Sequence, residues 1–497
     1  MYQNKSIRSQ VSRSGLYVFL GKAVRYSLQY GTQILLINLL VPSDFGIMRY
    51  VTLLIGMASL INEMGLTTAI VQKQDIRKEE IAGCFTASII WGILLYIIIF
   101  GAAPLAAKFF NIPELTEFLV IGSIIVPISS TSSVPKALLQ KQMRFGTLAS
   151  IESSSALVSS TVMIFLAFKG YGTWSLISGA LIQEVITLVL LVSTSRIPGI
   201  QLSALFHSGR ILTVGFGLVF LRIVDYLRFS APFFIIGKLL DEKLLGLFSF
   251  SYDISILPQV VISAVLGNIT VSVFSRLQND KSRTENGFSQ MTYITSALVI
   301  PLLISMSLLS EEIIHTICFF KKNSIWLESA DLMRWLSLMG VFYAISVFPG
   351  TIWISNKRIL PSIFWSVGML LTTIVAIFSA VKWGVEGIAV AMFIRAAVVF
   401  PLFLQVNYRI TGIRKMVYIK SIYPAFAGSF FMVIPIFIVQ NFTPGTSLFR
   451  NTSVLLVSAL IGGTVYVIFF RFFSGSLLKP FTDMLEELRR RVLILIR

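Results

Sequence analysis

Apolar segments long enough to cross a membrane follow one another along almost the whole chain. Crossing roughly 30 Å of bilayer hydrocarbon takes about 20 apolar residues in a helix. We identify fourteen such segments, at 14–41, 47–66, 81–103, 117–134, 147–168, 173–195, 211–237, 244–275, 288–310, 330–355, 359–381, 385–407, 422–440 and 451–470. The chain is therefore predicted to be an all-α integral membrane protein with about 14 transmembrane helices.

The composition excludes a soluble globular protein. Hydrophobic residues make up 55% of the chain and charged residues only 13%, whereas soluble domains have about 25% charged residues. The net charge of +18 could suggest a nucleic-acid partner, but the basic residues lie mostly in short loops between apolar segments. We therefore expect contact with membrane lipids and no nucleic-acid binding.

The loop charges predict the orientation in the membrane. With the amino terminus placed in the cytoplasm, 26 of the 41 Lys and Arg residues fall in cytoplasmic segments and 8 in external loops. This bias follows the positive-inside rule, and one missed span would destroy it. An even number of spans with both termini in the cytoplasm is expected.

One charged pattern occurs in the first span and again in the seventh. Residues 22–26 (KAVRY) align without a gap with 222–226 (RIVDY), and the same offset aligns Gly46 with Gly246. Internal repeats of this kind are typical of transporters, whose substrate sites lie where the repeats meet.

The widest central cytoplasmic connection separates the two copies of the pattern and provides the boundary between lobes. The predicted organisation is an N-terminal lobe, an inter-lobe linker, a C-terminal lobe, two further spans and a basic amphipathic cytoplasmic tail, at 1–195, 196–210, 211–407, 408–470 and 471–497.

Basic side chains also lie inside the predicted spans, where they are costly. Lys22 and Arg25 share one face of the first span, with no acid on the same helix. A cation at the bilayer centre costs roughly 2.5–3.5 kcal/mol on insertion scales, so it is expected to face a partner helix or water. We predict a basic substrate-binding cavity with the candidate residues Lys22, Arg25, Arg49, Arg222 and Arg228.

Arginine suits an anionic cargo, because its planar fork matches phosphate and its charge is kept at working pH. The predicted ligand is a phosphate or diphosphate headgroup carried on a lipid. A structural alternative stays open for Arg222, since Asp225 lies three residues on and could pair with it. For Asp331 and Arg334, at the end of a span, we favour structural pairing. Arg395 in the twelfth span is a further candidate cation.

Acidic side chains inside the spans are candidates for ion coupling. We expect Glu184, Asp225 and Asp253 either to carry a coupling ion or to act as counter-charges to the arginines. Glu152, near the cytoplasmic end of its span, is interpreted as interfacial or cap-like. Both roles of the first three acids stay open.

No catalytic or metal-binding pattern competes with transport. Cys84 and Cys318 lie within or beside spans and offer no disulfide framework or metal-ligand spacing. We find no Walker sequence, nucleophile elbow or dinucleotide-binding turn. The chain is expected not to be an enzyme and to use no cofactor or metal, so an ion gradient, a membrane potential or a substrate gradient would drive transport.

Four segments carry a resemblance to a known family. In order along the chain they are 40–46 (LVPSDFG), 63–72 (EMGLTTAIVQ), 135–145 (PKALLQKQMRF) and 274–280 (FSRLQND). They resemble the Wzx-type polysaccharide flippases, in the polysaccharide-transport branch of the multidrug/oligosaccharidyl-lipid/polysaccharide (MOP) exporter superfamily. The likeness is close to the exporters of colanic-acid-like exopolysaccharide units.

This resemblance implies two six-helix bundles related by a pseudo-twofold axis, plus two C-terminal helices. It also implies movement of undecaprenyl-diphosphate-linked oligosaccharide across the bacterial inner membrane by alternating access. Apart from the resemblance, H⁺ or Na⁺ is a candidate coupling ion, and the polysaccharide polymerase and export machinery are candidate partners. Basic residues that hold the diphosphate in related flippases match Arg25, Arg49 and Arg222, with Lys22 and Arg228 nearby. Asp225 stands where the first repeat has Arg25, so the second lobe is not purely basic.

Three other functions fit the sequence less well than lipid-linked glycan transport. An ion-coupled multidrug antiporter of the MATE type would share the fold, but intramembrane cations oppose a cationic drug. A membrane polysaccharide polymerase or ligase usually needs a large external loop, and the longest external connection here is 311–329. A non-transporting scaffold would leave the intramembrane charges without a purpose.

Overall fold

The computed structural model describes residues 21–474, except for 22, 63–69, 72, 74, 196–198, 205–215, 277–280, 319–324, 348–349, 351, 354–358, 444 and 446. The regular structure of these residues is helical, with no strand among them. Lys22, most of the linker 196–210 and most of the tail 471–497 lie outside the described residues.

The helices follow one another with short connections. In chain order they are α1 (23–36), α2 (Pro42–Asn62), α3 (Lys78–Phe110), α4 (Leu115–Gly122), α5 (Ile125–Lys141), α6 (Phe145–Phe168), α7 (Thr173–Thr194), α8 (Phe216–Leu239), α9 (Glu242–Arg276), α10 (Lys281–Leu308), α11 (Ser310–Ile317), α12 (Ser329–Ile345), α13 (Ile359–Ala380), α14 (Gly384–Thr411), α15 (Lys415–Phe442) and α16 (Leu448–Ser474).

The helices confirm the predicted all-α membrane fold. Each of the fourteen predicted spans overlaps one long helix, or the pair α4 and α5 in the case of the fourth span. Within the described residues, 9 stretches are long and apolar enough to cross a membrane. One of these stretches, Leu360–Thr411, covers the predicted spans of both α13 and α14, so the 9 stretches correspond to ten of the fourteen predicted spans.

Helix α5 shows how polar residues are accommodated inside a span. The hydroxyls of residues 129–133 each donate to a backbone carbonyl three or four residues earlier. These bonds satisfy the hydroxyls inside their own helix, which a segment surrounded by hydrocarbon requires.

The chain divides into two compact units, with the division between Ser249 and Phe250. The first unit contains α1–α8 and the first turns of α9, and the second contains the remaining helices. Helix α8 follows the predicted lobe boundary at 196–210 but lies in the first compact unit. The predicted lobe organisation remains a prediction.

Within the first unit, α2 and α9 meet at their first turns. Gly46 lies against the backbone carbonyl of Glu242, and Gly246 lies against that of Pro42. A side chain at either glycine would overlap the backbone of the other helix, so the approach requires glycine at both positions. Gly46 and Gly246 are equivalent positions of the 200-residue repeat, which makes the contact reciprocal. The predicted orientation places this glycine contact at the external side.

Two tyrosines join α2 to α8. The Tyr50 hydroxyl donates to the carbonyl of Gly237 at 2.8 Å, and the Tyr226 hydroxyl donates to the carbonyl of Leu53 at 2.6 Å. Each bond pairs a polar tip with a backbone acceptor of the other helix, while the ring packs in the apolar contact. These two hydrogen bonds fix α8 along α2.

Candidate functional site

Three ionisable side chains from three helices meet in the first unit. The carboxylate of Glu152 on α6 accepts from Arg25 on α1, with Nη1 and Oε2 3.3 Å apart. Its other oxygen accepts from Lys136 on α5, with Nζ and Oε1 2.8 Å apart. We call these three residues the Glu152 cluster. One carboxylate thus holds two cations, each on a separate oxygen.

The Glu152 cluster is only partly covered by the protein. The side chains of Arg25 and Lys136 are 40% and 39% exposed, and that of Glu152 is 22% exposed. Charges that faced hydrocarbon would be expensive, so this exposed part is expected to face water or cargo. The predicted orientation places all three residues in the cytoplasmic half of the membrane.

The local packing explains why these side chains meet. Gly21, two residues before α1, lies close to α6, and a side chain at Gly21 would overlap Ala149. Arg25 follows Gly21 by about one helical turn and Glu152 follows Ala149 by slightly less, so both side chains project from the region of this contact. Helices α5 and α6 are joined by a tight turn in which Met143 has a positive φ of 57°. The turn folds α6 back beside α5 and brings Lys136 to Glu152.

A fourth charged residue, Glu184 on α7, belongs to the same surroundings. Helix α7 packs on α6 through the Ser159 hydroxyl, which donates to the carbonyl of Gly179 at 2.8 Å. The Glu184 carboxyl interacts electrostatically with Arg25, Lys136 and Glu152. Among the described residues, no hydrogen bond or ion pair joins it to a partner. The sequence singled out Glu184, and the structure places it within electrostatic range of the predicted cation Arg25.

The predicted cation Arg49 has other partners. Its guanidinium carbon lies 4.5 Å from the centre of the Phe233 ring on α8, which is a cation–π contact. Its Nη2 lies 3.5 Å from the carbonyl oxygen of Ser249 on α9. Arg49 therefore contacts the region where α2, α8 and α9 pack together, near the glycine contact.

The charged residues of α8 form a local pair. Arg228 Nη2 lies 3.3 Å from Asp225 Oδ1, and its guanidinium lies 4.0 Å from the Phe229 ring. Asp225 thus has a cationic partner one turn further along α8, in addition to the nearby Arg222 considered in the sequence. Arg222 is exposed on the same helix.

Two other sequence predictions can be compared with the structure. The structural pairing of Asp331 and Arg334 is confirmed by a 3.2 Å ion pair, and Arg334 also pairs with Glu311 at 3.0 Å. Asp253 lies on α9 in the second unit, where it is partly buried. Its coupling role remains a prediction.

The sequence interpretation missed Lys136 and misread Glu152. Helix α6 begins after Arg144, so Glu152 lies in its third turn, and the cap-like interpretation is wrong. Lys136 belongs to segment 135–145, which carried the family resemblance, and it could have been noticed as a cation at the end of a span. Its meeting with Glu152 depends on the turn between α5 and α6.

Comparison with known proteins identifies relatives along most of the chain. The sequence profile of the family described as "Polysaccharide biosynthesis protein" matches residues 35–331. The chain is also similar to the succinoglycan biosynthesis transport protein ExoT of Rhizobium meliloti (strain 1021). The two are 24% identical over 491 residues, which cover 97% of each chain.

Solved structures share the fold at low sequence identity. The lipid II flippase MurJ, in an inward closed conformation, matches with a TM-score of 0.69 and 14% identity, over 92% of this chain and 100% of the other. An inward-facing multidrug resistance MATE family transporter of the MOP superfamily matches with a TM-score of 0.63 and 15% identity, over 78% of this chain and 95% of the other. At these identities the likeness establishes the fold alone.

Proposed function

The chain belongs to the polysaccharide biosynthesis protein family, and from this we propose that it is a flippase for undecaprenyl-diphosphate-linked oligosaccharide units. It would move each unit from the inner to the outer leaflet of the bacterial inner membrane by alternating access, with both termini in the cytoplasm. The flipped units would supply the synthesis of exopolysaccharide, O-antigen or capsule, in contact with polymerase and export machinery.

The observation that carries this proposal is the convergence of Arg25 and Lys136 on Glu152. A diphosphate has several negative oxygens and is held best by two or more cations from a preformed site. The two cations come from different helices and keep part of their surface exposed, so a headgroup can reach both. Their predicted position in the cytoplasmic half suits loading from the inner leaflet, where such lipids are made.

The remaining predicted residues have separate roles in the proposal. Arg49, Arg222 and Arg228 would contact the headgroup as it moves outward, since they lie on α2 and α8 and not in the Glu152 cluster. Glu184 or Asp253 would carry H⁺ or Na⁺, or serve as a counter-charge. Acids at membrane depth that lie beside cations are suited to either role.

Alternating access also requires a contact that opens. Release to the outside would require α2 to separate from α9 at Gly46 and Gly246, and the Tyr50 and Tyr226 hydrogen bonds to be exchanged. Glycine contacts separate without the loss of interlocked side chains, which suits a contact that opens repeatedly.

The likeness to MATE transporters supports a drug antiporter as the second candidate. We favour the flippase because Arg25 and Lys136 would repel a cationic drug from the Glu152 cluster. A polymerase or ligase has less support, because the family and its structural neighbours are transporters.

The direct test is a flipping assay with the purified full chain in proteoliposomes. An undecaprenyl-diphosphate-linked oligosaccharide is placed in the inner leaflet, and a glycosidase added outside reports its arrival in the outer leaflet. The expected result is cleavage that proceeds with time and faster than in protein-free vesicles. Equal rates in both would contradict the flippase, and uptake of a cationic dye driven by an ion gradient would favour the antiporter.

A further inference from the structure

Glu152 is placed where an anionic cargo would be expected to bind. Its two carboxylate oxygens each accept from one cation, Arg25 at 3.3 Å and Lys136 at 2.8 Å. A phosphate group also presents separate oxygens to neighbouring donors. In the structure, therefore, the two cations that a diphosphate would need are already paired with one carboxylate of the protein.

The ion pairs of the Glu152 cluster are arranged so that they can be exchanged. About two fifths of the Arg25 and Lys136 side chains is exposed, and partly exposed ion pairs are weak because solvent screens them. A diphosphate, with a larger negative charge than one carboxylate, can therefore replace Glu152 on both cations.

We propose that Glu152 is a built-in competitor for the substrate diphosphate, holding Arg25 and Lys136 in the empty protein and yielding both to the incoming headgroup. Lys136 is thereby a diphosphate-binding residue alongside Arg25. This inference rests on the proposed flippase function and adds to it the way in which the headgroup is released.

A transporter must release its cargo in every cycle, which a simple binding protein does not have to do. Two unpaired cations would hold a diphosphate strongly, and tight binding of the cargo slows its release. When Glu152 returns to Arg25 and Lys136, it supplies their counter-charge and so offsets part of the cost of losing the cargo. Glu152 thus lowers the affinity for the diphosphate and raises the rate at which the cargo is transported.

The test compares binding and turnover in charge variants of the full chain. Undecaprenyl diphosphate is added to the protein in detergent micelles, and native mass spectrometry measures the bound fraction. Glu152→Gln keeps the shape of the side chain but removes its charge. We therefore expect roughly tenfold tighter binding, because the two partly exposed ion pairs no longer have to be broken. Lys136→Gln should bind roughly tenfold more weakly.

A matched control removes an acid that is paired with a lysine elsewhere. Glu80 Oε1 lies 2.6 Å from Lys73 Nζ, outside the Glu152 cluster, so Glu80→Gln should bind the lipid as the unmodified protein does. The flipping assay gives the second readout. Glu152→Gln should flip more slowly although it binds more tightly, whereas a carboxylate that only stabilises the fold would lower both binding and flipping when removed.

The outcomes separate this inference from the proposed function. If the unmodified chain binds the lipid and Glu152→Gln binds it equally or more weakly, the competitor role is wrong and the flippase stands. If neither the unmodified chain nor any variant binds the lipid, the proposed function fails as well. Should Glu152→Gln not fold, Glu152→Asp replaces it, because the shorter acid holds the two cations less well. Binding that is not tightened in Glu152→Asp would then overturn the inference.

Discussion

Two buried or half-buried arginines, one in each compact unit, are stabilised in different ways. Arg25 in the first unit is 40% exposed, and its partner is the carboxylate that Lys136 shares. Arg395 in the second unit is only 6% exposed. Its Nη2 donates to the Tyr343 hydroxyl at 2.7 Å and its Nη1 to the Met369 carbonyl at 3.4 Å.

The difference separates a charge that can change partners from one that cannot. Among the described residues, Arg395 pairs with no carboxylate, and its neutral partners belong to α12 and α13 while Arg395 itself lies on α14. A planar guanidinium can donate in two directions at once, so Arg395 joins three helices. Arg25 is partly exposed, and another anion can replace its partner, the Glu152 carboxylate. We therefore assign a structural role to Arg395 and a binding role to Arg25.

The same substitution should change the stability of the protein strongly at Arg395 and only slightly at Arg25. In Arg395→Lys, the charge stays buried, but a single ammonium cannot form both hydrogen bonds that the guanidinium makes, to Tyr343 and Met369. We therefore expect the free energy of unfolding to fall by about 3 kcal/mol. In Arg25→Lys, the partly exposed charge can still reach an anion, and stability should change by less than about 0.5 kcal/mol. Unfolding in mixed micelles titrated with sodium dodecyl sulfate measures both.

The assignment of roles would be reversed by the opposite pattern. An Arg395→Lys protein as stable as the unmodified chain, together with a destabilised Arg25→Lys protein, would make Arg25 the structural residue.

Removal of the Arg25 side chain should affect binding more than stability. We expect Arg25→Ala to weaken undecaprenyl diphosphate binding roughly thirtyfold, the effect of losing about 2 kcal/mol from one charge-assisted contact. Native mass spectrometry measures the affinity and the flipping assay the turnover, which should be lost with it. Arg334→Ala is the matched control, since Arg334 pairs with Asp331 and Glu311 away from the Glu152 cluster. Equal affinity in Arg25→Ala and Arg334→Ala would remove Arg25 from the site.

The smallest expected effect tests the neutral partner of Arg395. Tyr343→Phe removes the hydroxyl that accepts from Arg395 Nη2, and we expect a loss of about 1 kcal/mol of stability. Lipid affinity per folded molecule should stay unchanged, because Tyr343 and Arg395 are not part of the Glu152 cluster. A variant of normal stability that binds the lipid more weakly would place Arg395 in the binding site.

Most of the fold was predictable because membrane insertion depends on properties that add up along the sequence. Segments such as 81–103 and 385–407 are apolar enough to be recognised singly, and α3 and α14 occupy them. Loop charges gave the predicted orientation for a similar reason. The limits of the compact units could not be predicted in this way, since the packing of α8 against α2 depends on contacts such as that between Tyr50 and Gly237.

The candidate site was predictable only in part. Arg25 was recognisable because a cation inside a span is costly wherever it lies. Lys136 and Glu152 lie near span ends, where charged residues are common. They form part of the site only because the turn between α5 and α6 brings them together. The repeat suggested that Arg25 and its counterpart region on α8 have similar roles, but Asp225 forms a local pair with Arg228 there.

The most direct test of the central claim is a structure of the full chain in nanodiscs with bound undecaprenyl diphosphate, determined by electron cryomicroscopy. The account predicts phosphate oxygens within hydrogen-bonding distance of Arg25 and Lys136, with the Glu152 carboxylate displaced from both. A diphosphate bound elsewhere, with both cations still paired to Glu152, would contradict it.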